Sequence, residues 1–158
     1  MPSQRYASPT LKRRISVIAV AAAVMSAAAY AATPVEVQKL RHERYEELGE
    51  AFKTVRDNSK GSPDFAALEK ALAVIQKATV DQKDWFPKGS GPEAGKTRAL
   101  PEIWSKPDEF ASAQKMFADK AGPLATAVKA KDVDGVGKAF RELGGSCKNC
   151  HDNFRAPE

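Results

Sequence analysis

The sequence contains few of the residues from which metal and redox sites are built. Its 158 residues include two cysteines, two histidines and three methionines, and Met1 and Met25 lie within the first 31 positions. No stretch alternates polar and apolar residues over a sustained length, so β-strands are not expected. Any metal or redox site therefore has to be assembled from very few side chains on a helical framework.

An excess of positive charge is also missing once the N-terminus is set aside. The chain has 25 basic and 20 acidic residues, but Arg5, Lys12, Arg13 and Arg14 come before the first acidic residue. Without these four the balance is 21 basic to 20 acidic residues. A nearly neutral domain has no basic stripe for a phosphate backbone, which argues against binding to nucleic acid.

Long apolar runs are absent except for one, "ISVIAVAAAVMSAAAYAA", which follows the basic N-terminus. A basic start, an apolar stretch and the small-residue triplet Ala29-Tyr30-Ala31 are typical of a secretory signal peptide. About eighteen apolar residues could also form an uncleaved membrane anchor, but the alanine content and the triplet favour cleavage. We therefore predict a signal peptide at 1–31 and a periplasmic domain at 32–158 that has no membrane attachment after cleavage.

Four amphipathic segments predict an all-α protein, an antiparallel four-helix bundle. Thr33, Pro34 and Glu36 form a capping-box pattern at the first start, and Ser62 followed by Pro63 suggests the second. The predicted helices cover approximately 33–57, 62–84, 107–131 and 133–155. A Gly- and Pro-rich crossover loop joins the second to the third.

The fourth segment ends in "GGSCKNCHDNFR", residues 144–155. On a helical wheel Cys147, Cys150 and His151 fall within an arc of about 100° that overlaps the apolar stripe of this helix. All three side chains are therefore predicted to point into the bundle.

Four chemistries could use this motif. A disulfide is the usual fate of two cysteines in an exported protein, but a bridge within one helical turn is strained and gives His151 no role. A redox dithiol belongs to a βαβ setting, and zinc needs a fourth ligand, for which only His42 remains. C-x-x-C-H is the attachment pattern of c-type haem. It predicts one haem c, held covalently by Cys147 and Cys150, with His151 as the axial ligand of the iron.

The first helix offers candidates for the other face of the haem. Arg41 falls in the middle of its apolar stripe, where a buried guanidinium needs a partner, so it is predicted either to bind a haem propionate or to extend to the end of the bundle. Tyr45, one turn later at the edge of the stripe, could cover the iron. His42 and Met116 lie away from the apolar stripes of their helices.

These features resemble the cytochrome c′ family, the class II c-type cytochromes. The C-terminal motif, with Arg155 one turn beyond it, matches the family. The loop "RALPEIWSKPDEF" also matches it. Arg98, the first residue of this loop, and Arg155 are included among the predicted cofactor contacts. On the first helix Arg41 matches the arginine of the family. His42 replaces the glutamine of the family and is included among the predicted cofactor contacts. Tyr45 occupies the distal position.

The resemblance implies a four-helix bundle with haem near its C-terminal helix. It also implies a five-coordinate, high-spin iron, because the first helix has no methionine, and a distal face packed by Tyr45 with Trp85 or Phe86 as neighbours. Such a protein is expected to bind nitric oxide and carbon monoxide or to transfer electrons to a redox protein partner. It is expected to form a homodimer and not to act as an enzyme.

Two alternatives remain open at this stage. One is a six-coordinate, low-spin electron-transfer cytochrome in which His42 or Met116 ligates the iron. The other is a structural bundle with a disulfide and no cofactor.

Overall fold

The computed structural model describes residues 32–157, so the predicted signal peptide lies outside the described part of the chain. Five α-helices are present in this part: α1 (Pro34–Asp57), α2 (Phe65–Asp81), α3 (Glu102–Ser105), α4 (Pro107–Ala130) and α5 (Val133–Phe154). A 3₁₀ turn, Gln82–Asp84, continues α2. The described residues form no strand, only an isolated antiparallel bridge between Ala99 and Arg155.

The predicted starts of α1 and α5 are confirmed by their capping bonds. The Thr33 hydroxyl accepts from the Glu36 backbone N–H at 3.3 Å, and the Glu36 carboxylate accepts from the Thr33 N–H at 2.6 Å. Asp132 caps α5 by accepting from the Gly135 N–H at 3.0 Å. Between α4 and α5, Lys131 adopts a left-handed conformation with φ 54°, and this reverses the chain within a very short link.

The predicted start of α2 is wrong by two residues. Asp64, not Ser62, is the N-cap, because its carboxylate accepts from the backbone N–H groups of Ala66 at 2.9 Å and Ala67 at 3.1 Å. The Asn58 side chain accepts from the Asp64 N–H at 2.8 Å and so links the end of α1 to the start of α2. A tertiary contact thus selects among several adjacent polar residues that could each have served as a cap.

The four long helices form an antiparallel bundle, as predicted, in which α4 and α5 make the most extensive pairing. Gln114, near the start of α4, donates to the Gln82 carbonyl at the end of α2 at 3.0 Å. The rings of Phe110 in α4 and Phe154 at the end of α5 lie 5.1 Å apart. The apolar side chains that are almost completely buried come from all four helices: Val55, Leu68, Ile75, Leu124, Val128, Val136 and Leu143.

The crossover between α2 and α4 folds back over one end of the bundle. The Trp104 indole N–H, in α3, donates to the carbonyls of Phe86 at 3.1 Å and Pro87 at 3.2 Å. A second apolar cluster forms here from Ile103, Phe110, Ala113 and Phe154. Within residues 32–157, no helix combines the length and the apolar character needed to cross a membrane.

Replacing Asp64 with Ala should lower the free energy of unfolding by about 1 kcal/mol, because two N–H groups at the start of α2 lose their acceptor. Ser62→Ala is the matched control and should change stability by less than about 0.5 kcal/mol. Urea denaturation of the purified protein measures both. A larger loss from Ser62→Ala than from Asp64→Ala would contradict the assigned cap.

Candidate functional site

Cys147 and Cys150 lie on the inner face of α5, close to its C-terminal end. Cys147 packs against the main core and Cys150 against the second apolar cluster at the end of the bundle. Both side chains are half-buried free thiols. The prediction that the two cysteines point into the bundle is therefore confirmed.

The ionisation of these thiols bears on the redox alternative. Burial, reinforced by the neighbouring Cys150, raises the pKa of Cys147 to about 11. Burial also raises the pKa of Cys150. Both thiols are protonated at neutral pH, whereas a redox dithiol depends on a cysteine whose pKa is lowered. The electrostatics of the site thus disfavour a dithiol oxidoreductase.

His151 differs from the prediction, since its side chain is exposed and does not point into the core. It is at one edge of the arc shared with the cysteines, in the last turn of α5, where it faces the crossover and the chain beyond the helix. A cavity of about 300 Å³ lies beside it, lined by Arg98, His151, Asp152, Arg155, Ala156 and Pro157.

Partial burial lowers the pKa of His151, and the positive charges of Arg155 and Arg98 lower it further, while Asp152 opposes them. The Arg155 Nη1 atom lies 3.3 Å from the Nδ1 atom of His151. Because the lowered pKa favours the neutral imidazole at pH 7, His151 is held in the form that ligates a metal.

The predicted contact residue Arg98 fastens the end of α5 to the crossover. Its Nε and Nη2 atoms donate to the Ala156 carbonyl at 3.0 and 2.9 Å. Backbone bonds flank this contact, from the Ala156 N–H to the Arg98 carbonyl at 2.8 Å and from the Leu100 N–H to the Phe154 carbonyl at 3.0 Å. Arg98 thereby positions the helix end that carries His151.

Tyr45 of α1 and Cys147 of α5 are both partly buried and pack against the main apolar core. Its ring meets Trp85 edge-on at 5.0 Å and Phe86 at 6.2 Å, so both predicted neighbours are present. Burial raises the pKa of Tyr45, and Cys150 raises it further, with a smaller opposing effect from Arg41. The phenol therefore stays protonated at neutral pH.

Arg41 is buried, with 4% of its surface exposed. Its Nη1 atom donates to the Trp85 carbonyl at 3.2 Å and the Ser90 hydroxyl at 3.0 Å. Its Nη2 atom donates to the Ser90 carbonyl at 3.0 Å and the Thr97 hydroxyl at 3.2 Å. Arg41 thus holds the crossover against α1 and does not extend to solvent, a role that the sequence did not reveal. Its binding to a propionate stays a prediction.

Gln38, one turn before Arg41, is a residue that the sequence analysis missed. It is buried and donates through its side-chain nitrogen to the carbonyls of Gly91 at 2.7 Å and Ser90 at 3.4 Å. The only signal available was its position three residues before Arg41, which places both on one face of α1. Two polar side chains on an otherwise apolar stripe therefore bind the same loop.

His42 and Met116, the candidate sixth ligands, both face outward. The His42 side chain is 75% exposed, and its Nε2 atom lies 3.3 Å from the Glu46 carboxylate on the following turn. Met116 is 41% exposed and lies on the outer side of α4, in a groove next to Ser112 and Asn153. One residue after Arg41 on a helix, His42 is about 100° away from the loop-binding face. Its role as a cofactor contact stays a prediction.

Comparisons with known proteins agree with this geometry. The sequence profile described as "Cytochrome C'" matches residues 36–155. The chain belongs to the cytochrome c′ family. Among its relatives, cytochrome c′ of Rhodopseudomonas palustris is 35% identical over 150 residues, which cover 92% of this chain and 98% of the relative.

Solved structures of other cytochromes c′ share the fold. The nitric oxide complex of a mutant cytochrome c′ from Alcaligenes xylosoxidans has a TM-score of 0.70 at 27% identity, covering 81% of this chain and 99% of the other. Another cytochrome c′, described as having an unusual ligand-controlled dimer dissociation, has a TM-score of 0.74 at 25% identity, with coverages of 80% and 99%. Cytochromes c′ bind one covalent haem c, and the present chain contributes two cysteines.

The described residues fit such a group. Two thiols lie on one inward face of α5, and a neutral imidazole follows them directly. A methyl group added at Gly144 or Gly145 would meet no atom outside the helix within 4 Å, so packing within the protein does not explain the glycines that precede the motif. We still predict that Gly144 and Gly145 are glycines because the porphyrin approaches the helix closely there.

Replacing Arg41 with Lys should lower the free energy of unfolding by about 2 kcal/mol, because one ammonium group cannot reach all the acceptors that the guanidinium fork serves. Arg56→Lys, at an exposed position of the same helix, is the matched control and should have little effect. Urea denaturation gives both values. Equal stability of the two variants would show that Arg41 does not hold the crossover.

Proposed function

We propose that the protein is a periplasmic cytochrome c′ with a five-coordinate haem iron, and that it binds nitric oxide or carbon monoxide at the open axial position. In this proposal Cys147 and Cys150 form the thioether links and His151 is the single axial ligand from the protein. When bound, haem c supplies an iron that accepts small ligands and changes its oxidation state. The proposal does not include catalytic turnover.

One observation carries the proposal. Tyr45 of α1 interacts electrostatically with Cys150 and Cys147, and its raised pKa keeps it a neutral phenol. Tyrosine ligates haem iron as the phenolate, so a protonated phenol is a poor sixth ligand. Tyr45 therefore supplies bulk and leaves the strong axial bond to His151.

The orientation of the two alternative ligands supports the same conclusion. His42 is paired with Glu46 on the solvent side of α1, and Met116 lies on the outer side of α4. To reach the inner face of the bundle, either side chain would need its helix to rotate against packed neighbours. A six-coordinate, low-spin cytochrome is the less favoured interpretation for this reason.

Export supports the location that we propose. Haem is attached to c-type cytochromes after export, and residues 1–31 have the pattern of a signal peptide. Electron transfer through the same haem would require a redox protein partner, and two copies of the chain are expected to pair as a homodimer. Sedimentation of the ferric and the CO-bound ferrous protein would test the pairing.

The spin state of the ferric iron tests the proposal directly. The protein, expressed with its leader and the haem-attachment machinery, should give a positive pyridine haemochrome assay and a high-spin optical and EPR spectrum at neutral pH. His42→Ala and Met116→Leu should leave that spectrum unchanged. A purely low-spin spectrum that becomes high-spin in either variant would assign the sixth ligand and overturn the proposal, and a colourless protein would indicate a bundle without a cofactor.

Replacing Tyr45 with Ala should raise the affinity of the ferrous protein for carbon monoxide by about tenfold, because removing the ring relieves crowding of the order of 1 to 2 kcal/mol at the open position. Tyr45→Phe keeps the ring and should bind carbon monoxide about as the unaltered protein does. Equilibrium titration followed by the optical spectrum measures both affinities. Unchanged binding in the Ala variant would mean that Tyr45 does not crowd the iron.

A further inference from the structure

The side chain of Trp85 contains a buried hydrogen-bond donor that the described residues leave without a partner. Trp85 is 4% exposed, and its Nε1–H finds no acceptor among residues 32–157. An unpaired buried donor costs about 1–3 kcal/mol, and native proteins rarely leave one unsatisfied. The other tryptophan, Trp104, shows the usual arrangement, since its Nε1–H donates to two carbonyls.

The surroundings of this indole are rich in donors. The Arg41 Nη1 atom donates to the Trp85 backbone carbonyl at 3.2 Å, and the Arg44 guanidinium carbon lies 5.4 Å from the centre of the Trp85 ring. Guanidinium and indole groups donate hydrogen bonds but accept none. The backbone and the ring of Trp85 are therefore each next to a guanidinium, and neither guanidinium can accept a hydrogen bond from the indole N–H.

Positive charge accompanies these donors and is not balanced there. No carboxylate of the described residues lies within ion-pair distance of Arg41, whose four hydrogen bonds go to backbone carbonyls and hydroxyls. A buried cation without an anion is unfavourable. The group that completes this place should therefore be an acceptor and should carry negative charge.

The place is also close to the cysteines. Tyr45 meets the Trp85 ring at 5.0 Å, and the same tyrosine is near enough to Cys150 and Cys147 for both to raise its pKa. A group attached at the cysteines and lying against Tyr45 would reach the indole as well. Haem carries two propionate carboxylates, which are anionic acceptors.

We propose that Trp85 is a haem-binding residue that donates its Nε1–H to a propionate carboxylate beside Arg41. This inference rests on the proposed function, since it requires the haem. It gives Trp85 a direct contact with the haem, whereas the sequence predicted this residue only as an aromatic neighbour of Tyr45. The indole contributes a directional hydrogen bond, and the guanidinium contributes charge.

The test uses the ferrous, CO-bound holoprotein, in which the low-spin iron is diamagnetic and permits NMR. The indole nitrogens are labelled with ¹⁵N, and the propionate carboxylates are labelled with ¹³C through labelled 5-aminolevulinate. With only two tryptophans in the chain, each indole resonance is readily assigned. We expect the Trp85 N–H to be protected from exchange and to change its shift as one propionate titrates.

Two variants separate this bond from simple packing. Trp85→Phe keeps an aromatic ring beside Tyr45 but deletes the donor. Because a donor stabilises the ionised carboxylate, its loss should raise the proton affinity of that propionate by about tenfold. Trp104→Phe, the matched control, removes hydrogen bonds to backbone carbonyls and should leave the proton affinity of both propionates unchanged.

Several results would overturn the proposal. One is a Trp85 indole N–H whose chemical shift does not change as the propionates titrate. This measurement uses the unaltered protein, so it does not depend on the folding of a variant. Another is an unchanged proton affinity of both propionates in the Trp85→Phe variant. If that variant instead alters only the infrared stretch of bound CO, the indole donates to the distal ligand and not to a propionate. A positive pyridine haemochrome assay on the same samples distinguishes these failures from failure of the proposed function.

Discussion

The burial of the Arg41 guanidinium against the crossover is the interaction on which the rest of the site depends. A charge buried inside a helical bundle is stable only when its donors are satisfied, and here the loop supplies the acceptors through Trp85, Ser90 and Thr97. The loop has no regular structure of its own between the 3₁₀ turn and α3, so these bonds determine where it lies. With the loop fixed, the rings of Trp85 and Phe86 are held against Tyr45, and this aromatic group forms one wall of the site.

The opposite wall is fixed by different means. Cys147 and Cys150 belong to a regular helix, so their separation and direction follow from helical geometry, while His151 lies in the last turn, where helices usually fray. Arg98 and the backbone bonds around Ala156 tie this end to the crossover and prevent fraying. The site is therefore asymmetric. One wall offers two protonated thiols and a neutral imidazole, and the other offers aromatic bulk and a protonated phenol. This asymmetry supports the proposal that a haem bound here has one axial position open to small ligands.

Much of this could be predicted from the sequence, because the signals were local. Helical periodicity, the capping box at Thr33 and the C-x-x-C-H spacing each depend on residues within one or two turns of one another. The errors occurred where a contact between different structural elements decides the outcome. Asp64 is the cap of α2 because Asn58 holds it in place, and the inward direction expected for His151 failed because a wheel does not show which element faces a helix end. The loop-binding role of Gln38 depends on residues more than fifty positions away, and its only sign in α1 is its position three residues before Arg41.

The central claim is that the protein provides one axial ligand to the iron, from the helix that carries the cysteines, and only packing from the opposite side. Iron K-edge X-ray absorption of the ferric holoprotein at neutral pH counts the ligands without reference to spin state. The account predicts five, namely four porphyrin nitrogens and one imidazole. A sixth ligand at bonding distance that comes from the protein, whether nitrogen, sulfur or phenolate oxygen, would contradict it.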